Sequence, residues 1–236
     1  MTVFFVIWAA EGWRARLDDR QERRWLVGED MTDTPPLEIG LCMLQGARHI
    51  HIAALERAAT ELDIRINIHQ LRTESDLDAV ATTLNAVVLP GGESTTMRLT
   101  GGAEESGGSG LLPNLFSLLR SRQELPVLAT CAGAILLCEP QDGGRPLIDA
   151  QIDRNAYGRQ ADSFESQISA NLLKREFPGV FIRAPRFSSL GGNAKVAATS
   201  GIETVGVLTG CRLALAFHPE LSSDSGFHRW LLAAAG

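Results

Sequence analysis

From Leu37 onward the sequence alternates short apolar runs with segments of helical spacing, and few folds accept that alternation. LEIGLCML (37–44), closed by Gln45 and Gly46, AVVLP (86–90), stopped by Pro90, and PVLAT (126–130) have the length and apolarity of strands buried on both faces. IRINI (64–68) is β-branched and alternating, the pattern of another strand. Between these runs, residues 49–62 place Ile52, Leu55, Ala59 and Leu62 at helical spacing, with Glu56, Arg57 and Glu61 between them. NLFSLLRSR (114–122) and CAGAILLC (131–138) read as two further helices. The expected fold is therefore α/β, a mostly parallel central sheet with helices on both faces. After Leu147 the texture changes. IDAQIDRN, SFESQIS, GVFIRAP, AKVAAT, ETVGVLTG and CRLALAFHP follow as strand-like pieces, with a hairpin turn at Thr209-Gly210 and a last helix, FHRWLLAAA. Thr100 to Gly110, TGGAEESGGSG, reads as a flexible surface loop.

Length and charge narrow the classes. At 236 residues the chain fits one large α/β domain. Its 22 basic and 28 acidic side chains give a net charge of −6, and no basic tract is present, which excludes strong nonspecific binding to nucleic acid. Cys42, Cys131, Cys138 and Cys211 form no CxxC pair, so no disulfide framework is expected and a reducing, cytoplasmic setting is. His49, His51, His69 and His228 share no ligand spacing, so no metal is assigned. Near the N-terminus, the apolar run VFFVIWAA is too short to span a bilayer and has no positive charge ahead of it, as a secretory signal would need. Residues 1–36 are expected to be a dispensable extension, with 37–236 as the domain; Met31 could be the true start.

Three stretches carry chemistry. Cys131 lies at the junction of strand PVLAT and a helix, with Thr130, Ala132 and Gly133 as small neighbours. A sharp strand-to-helix turn lifts a nucleophile out of a sheet, a helix N-terminus favours the thiolate, and the Ala132 N–H would face an oxygen developing charge. A cysteine at a strand end is more often a small buried hydrophobe, so Cys131 alone decides nothing. The second stretch is Phe217-His218-Pro219-Glu220. If it stays extended, His218 and Glu220 point to the same side as a base and the group that orients it. The third is Pro90-Gly91-Gly92-Glu93-Ser94-Thr95-Thr96, after strand AVVLP. Its glycines permit an amide-lined hollow at the carboxyl edge of the sheet, and no GxxxxGK[ST] motif makes it a phosphate loop.

LPGGESTTM, TCAG, DRNAYGRQADSFE, GVFIRAP and FHPEL, in this order, closely resemble the glutaminase subunits of pyridoxal 5′-phosphate synthases, and LCMLQGARHIHIAAL resembles their first strand and helix. TCAG and HPE alone would indicate only a class I glutamine amidotransferase; GGESTTM with RNxxGRQxDSFE is far more specific. The likeness runs from about Leu37 to the C-terminus. It implies a single flavodoxin-like class I glutamine amidotransferase domain in which Cys131 attacks the glutamine amide, His218 acts as base and then acid, and Glu220 holds the His218 tautomer. Gly92, Glu93 and Ser94 would contact glutamine, Gly92 and Ala132 would form the oxyanion hole, and Arg154, Ile182 and Arg183 would bind the substrate's main-chain groups. Gln45 looks like the family's residue near the partner interface.

The same resemblance implies a glutaminase that needs no metal or organic cofactor. It would pass ammonia within a hetero-oligomer to a (β/α)8-barrel synthase subunit for vitamin B6 biosynthesis, with little hydrolysis until that partner binds. Two departures stand out: Ala129, where relatives usually carry glycine, and the additions at 1–36 and 100–110. Cys42, Cys138 and Cys211 match no role and are expected to pack. Three rivals stay open at this point: a glutaminase of another pathway such as imidazole glycerol phosphate synthesis, a non-catalytic regulatory subunit, and a stand-alone cysteine hydrolase or peptidase.

Overall fold

The computed structural model describes residues 35–45, 48–154 and 163–236. Most of the expected N-terminal extension, and Asn155 to Asp162 of the DRNAYGRQADSFE block, lie outside the described residues. The strands are β1 Leu37–Cys42, β2 Ile66–Leu71, β3 Ala86–Leu89, β4 Val127–Thr130, β5 Ala150–Asp153, β6 Ser163–Ala170, β7 Arg175–Ile182, β8 Arg186–Leu190, β9 Ala194–Ser200, β10 Glu203–Thr209 and β11 Arg212–Leu215. The α-helices are α1 Arg48–Leu62, α2 Glu74–Asp78, α3 Ser94–Gly101, α4 Leu111–Ser121, α5 Ala132–Cys138 and α6 Gly226–Ala235.

Nine strands form one sheet in the order β2-β1-β3-β4-β11-β10-β9-β6-β7. The first five are parallel to one another. That order, with β11 as fifth strand, is flavodoxin-like. Right-handed crossovers place helices on both faces, because the chain leaves β1 toward β2 in one direction and returns past β1 to β3 in the other. All four residues of β3 and of β4 are buried, as strands covered on both sides must be. α1 packs against α6, while α4 packs against α2 and α3.

The change of texture after Leu147 marks an antiparallel wing. β11, β10, β9, β6 and β7 pair antiparallel in succession, and β5 and β8 form a separate ribbon. The expected hairpin is present: Thr209 pairs with Arg212, and Gly210 takes a left-handed φ of 61° in the two-residue turn. Phe177, Phe217 and Phe227 are fully buried and, with Phe181, form an aromatic cluster where the wing meets the parallel half. Ring centroids lie 4.8 Å apart for Phe177–Phe227 and 5.6 Å apart for both Phe217–Phe227 and Phe181–Phe217.

Three local expectations change. The 100–110 segment is closed on itself rather than open: Ser109 N–H donates to Thr100 O at 2.9 Å, Gly110 N–H to Gly102 O at 2.8 Å and Glu74 N–H to Ser109 O at 3.0 Å. Gly102 and Gly108 serve close backbone approach: a Cβ on either would sit 2.4 Å from a backbone oxygen, of Arg98 and Gly102 respectively. β7 begins at Arg175 and runs through Pro178, which is tolerated because β7 lies at the sheet edge. RFSSL (186–190), absent from the strand-like pieces of the sequence, becomes β8 by pairing with β5, with Phe187 as its one buried side chain.

Candidate active site

The carboxyl ends of β1, β3, β4 and β11 bring four stretches to one edge of the sheet, the edge where open α/β folds bind ligands. After β4 the chain turns at Cys131, which takes φ 48° and ψ −108° and serves as N-cap of α5. A non-glycine residue held at positive φ is strained, and such strain persists only where surrounding packing enforces it. Here the enforcement is visible. Cys131 N–H donates to Leu215 O of β11 at 2.8 Å, and a Cβ on Gly133 would lie 2.1 Å from Leu89 O of β3. Glycine at 133 therefore lets α5 start hard against β3, and the turn presents a cysteine that is 7% exposed.

After β11, Ala216 N–H donates to Val205 O and His218 N–H to Val180 O, each at 2.8 Å, while Phe217 anchors in the aromatic cluster. His218 is delivered beside the sulfur: its ring is hydrogen-bonded to Cys131 on one side and to Glu220 on the other. Nδ1 of His218 lies 2.7 Å from Oε1 of Glu220. The segment does not stay extended. Pro219–Leu221 forms a 3-10 turn, because Pro219 pre-sets the φ of a first helical position and Leu221 N–H reaches His218 O at 3.3 Å. The turn still carries Glu220 under the imidazole.

Electrostatics follow from this stacking. Burial opposes a charge on His218, but the hydrogen bonds to Cys131 and Glu220 prevail and raise its pKa from 6.5 to about 10. Burial likewise opposes the Glu220 carboxylate, which is 4% exposed, and hydrogen bonds to His218 and His51 overcome it to hold the group well below the usual carboxylate range. Sulfur, imidazole and carboxylate thus stand in hydrogen-bonding succession, an arrangement suited to nucleophilic attack on an acyl carbon.

The loop after β3 closes one wall. A Cβ on Gly91 would come 2.6 Å from His218 Cε1 and 3.2 Å from Cys131 Cβ, so the backbone passes directly over the pair. Gly92 adopts φ 153°, and Gln45, at the end of β1, accepts from the Glu93 N–H at 2.6 Å. Glu93 caps α3: its carboxylate accepts from Thr95 N–H at 2.9 Å, Thr96 N–H at 2.7 Å and the Thr96 hydroxyl at 2.8 Å, which pulls its pKa down to about 2. Ser94 is buried. What this loop offers the cleft is consequently backbone rather than the Glu93 side chain. Arg154 donates from Nη2 to the Thr95 hydroxyl at 3.0 Å, which sets it beside the same loop. Across the cleft, Ile182 O lies 3.9 Å from the thiol, and the exposed Arg183 that follows holds a left-handed φ of 43°.

Sequence reasoning passed over two residues that touch this site. His51 on α1 and His228 on α6 are fully buried behind Glu220, with His51 Nε2 3.3 Å from Glu220 Oε1. Their signal was present but unused: His51 shares the helical stripe of Leu55 and Ala58, and His228 lies between Phe227 and Trp230. A histidine on an apolar stripe needs a partner inside the core. Gly91 also went unremarked as the residue whose missing side chain makes room for the His218 ring.

A cysteine on a strand-to-helix turn, backed by His and Glu after a later parallel strand and faced by an amide-lined loop, is the arrangement of a glutamine amidotransferase. The chain belongs to the SNO glutamine amidotransferase family, whose sequence model matches residues 41–235. It is 39% identical over 209 residues to the pyridoxal 5′-phosphate synthase subunit PdxT of Thermococcus onnurineus, covering 84% of this chain and 99% of that one. The PdxT subunit of Actinobacillus pleuropneumoniae serotype 5b is 40% identical over 199 residues, covering 83% and 94%. A solved glutamine amidotransferase superposes with a TM-score of 0.64 at 35% identity, covering 84% of this chain and 98% of the other. A glutamine amidotransferase from Thermotoga maritima, at TM-score 0.53 and 20% identity, shares the fold.

Proposed function

We propose that this chain hydrolyses L-glutamine to L-glutamate and ammonia, and delivers the ammonia to the (β/α)8-barrel subunit of a pyridoxal 5′-phosphate synthase. The observation that carries the reading is the succession Cys131–His218–Glu220 at the carboxyl edge of the parallel strands. Supporting it are the relatives that are synthase subunits by name. In this reading His218 has taken the Cys131 proton before sulfur attacks the γ-carbonyl, and Glu220 keeps Nδ1 of the ring as donor. The N–H groups of Gly92 and Ala132 stabilise the oxyanion. His218 then gives the proton to the departing ammonia, leaving a γ-glutamyl thioester that water attacks to release glutamate and the free thiol. Arg154, Ile182 and Arg183, with the backbone at Gly92, Glu93 and Ser94, receive the amino-acid end of the substrate.

The glutaminase chemistry needs no cofactor in this scheme, and the working unit is the hetero-oligomer in the cytoplasm. Among the described residues the four cysteines are free thiols, and no helix is long and apolar enough to cross a membrane. Mixing the protein with the barrel synthase and glutamine tests the reading through glutamate release and formation of the vitamer chromophore. Cys131→Ala should abolish glutamate release while vitamer synthesis continues on added ammonium salts. Glutamate release indifferent to this synthase, or full glutaminase activity in Cys131→Ala, rejects the assignment.

A further inference from the structure

Glu220 is fixed by very little besides the ring it orients. It stands on a three-residue 3-10 turn, is almost fully buried, and its Oε2 has no hydrogen-bond partner among the described residues. Its Oε1 faces two imidazole nitrogens, Nδ1 of His218 at 2.7 Å and Nε2 of His51 at 3.3 Å. Among the described residues, the side-chain hydrogen-bond partner of Glu220 outside the reacting segment is therefore His51, on a helix more than 160 residues earlier in the chain. The His51 ring is itself held from behind. Its Nδ1 lies 3.2 Å from Nε2 of His228, and the Thr130 hydroxyl sits 3.5 Å from its Nε2.

The hydrogens can be assigned from this network. His228 is fully buried, and burial pulls its pKa down to about 3, so the ring is neutral. Its Nδ1 has no partner, and a buried N–H without an acceptor is rarer than a lone pair without a donor. The His228 hydrogen then sits on Nε2 and donates to His51 Nδ1. With Nδ1 of His51 accepting, the ring hydrogen of His51 lies on Nε2, aimed at Glu220.

We infer that His51, with its tautomer set by His228, is a positioning residue for the reaction: its Nε2–H donates to Glu220 Oε1 and fixes the carboxylate that orients His218. The inference rests on the glutaminase reading of Cys131, His218 and Glu220. His51 touches no substrate, so its loss acts on turnover rather than on glutamine binding.

The test compares His51→Gln, His51→Asn and His51→Leu with the parent, each complexed with the barrel synthase, by steady-state glutamate release and thermal melting. Gln carries an N–H to the position of Nε2, whereas Asn stops short of Glu220 and Leu has no donor. His51→Leu and His51→Asn should lower kcat about tenfold to a hundredfold, the worth of a hydrogen bond to a charged group, with KM for glutamine within about twofold of the parent. His51→Gln should recover most of that loss. If the leucine variant fails to fold, the Gln/Asn pair decides the matter, because both are polar and differ in reach. Equal turnover in those two, or parent-like kcat in His51→Asn, overturns the positioning role. The controls separate the two readings. A parent complex that releases no glutamate, or an active Cys131→Ala, removes the glutaminase reading. An active parent, a dead Cys131→Ala and unaffected His51 variants remove only the role of His51.

Discussion

Gly91 has little room to vary. It lies between the two reacting groups, and any side chain there would meet the His218 ring. Gly91→Ala should displace the imidazole from the sulfur and lower kcat about a hundredfold, the usual penalty for an ångström of misplacement. It should also cost about 1–3 kcal/mol of stability from overpacking, read as a fall in Tm. Parent-like turnover would mean that the ring can shift without leaving the sulfur. His218 supports a second prediction, on pH. The folded chain holds its proton from the ordinary value of 6.5 up to about 10, so the native state binds more protons than the unfolded chain across that window. The stabilisation is complete below about pH 6.5 and is lost as pH rises through about 10. Melting curves from pH 6.5 to 10 should fall more steeply for the parent than for His218→Gln; parallel slopes would remove this contribution.

At the scale of elements, α3 shows how a loop is held ready by its own helix. Glu93 caps α3 through two backbone N–H groups and the Thr96 hydroxyl, while Gln45, in the loop after β1, grips the Glu93 N–H. Glu93→Ala should destabilise the protein by about 1 kcal/mol, the typical worth of a cap, and raise KM for glutamine more than it lowers kcat. A changed kcat with constant KM would instead place Glu93 in the chemical step. The strands of the parallel half were legible because burial on both faces leaves a run of apolar residues and little else. β8 was not legible: RFSSL carries Phe187 as its sole buried side chain and owes its form to pairing with β5. The 3-10 turn at Pro219–Leu221 was misread for a related reason. Proline is compatible with an extended chain and with a first helical turn, and the hydrogen bonds to His218 O and Pro219 O decide between them.

On the scale of the whole molecule, the domain is a flavodoxin-like sheet extended by an antiparallel wing, and the site lies where the two halves meet. The wing contributes directly. β7 accepts the His218 N–H through Val180 O, Arg175 clamps Asp224 through bonds of 2.5 and 2.7 Å, and the phenylalanine cluster seats Phe217. Because β1 begins at Leu37 and the family match spans 41–235, we propose 37–236 as the functional unit. Removing residues 1–34 should leave glutaminase kcat in the complex with the synthase unchanged; a lost or much reduced rate would assign that segment a role. The sequence by itself determined the alternating layers, the candidate cysteine, histidine and glutamate, and the family, because strand burial, turn chemistry and contiguous motifs are local properties written in neighbouring residues. Only the tertiary structure decided that Gly91 makes room for the His218 ring, that Glu93 caps rather than faces the cleft, and that two histidines from α1 and α6 stand behind Glu220. Those relations join residues far apart in the chain, and spacing along a sequence carries no record of which distant side chains will share a buried hydrogen bond.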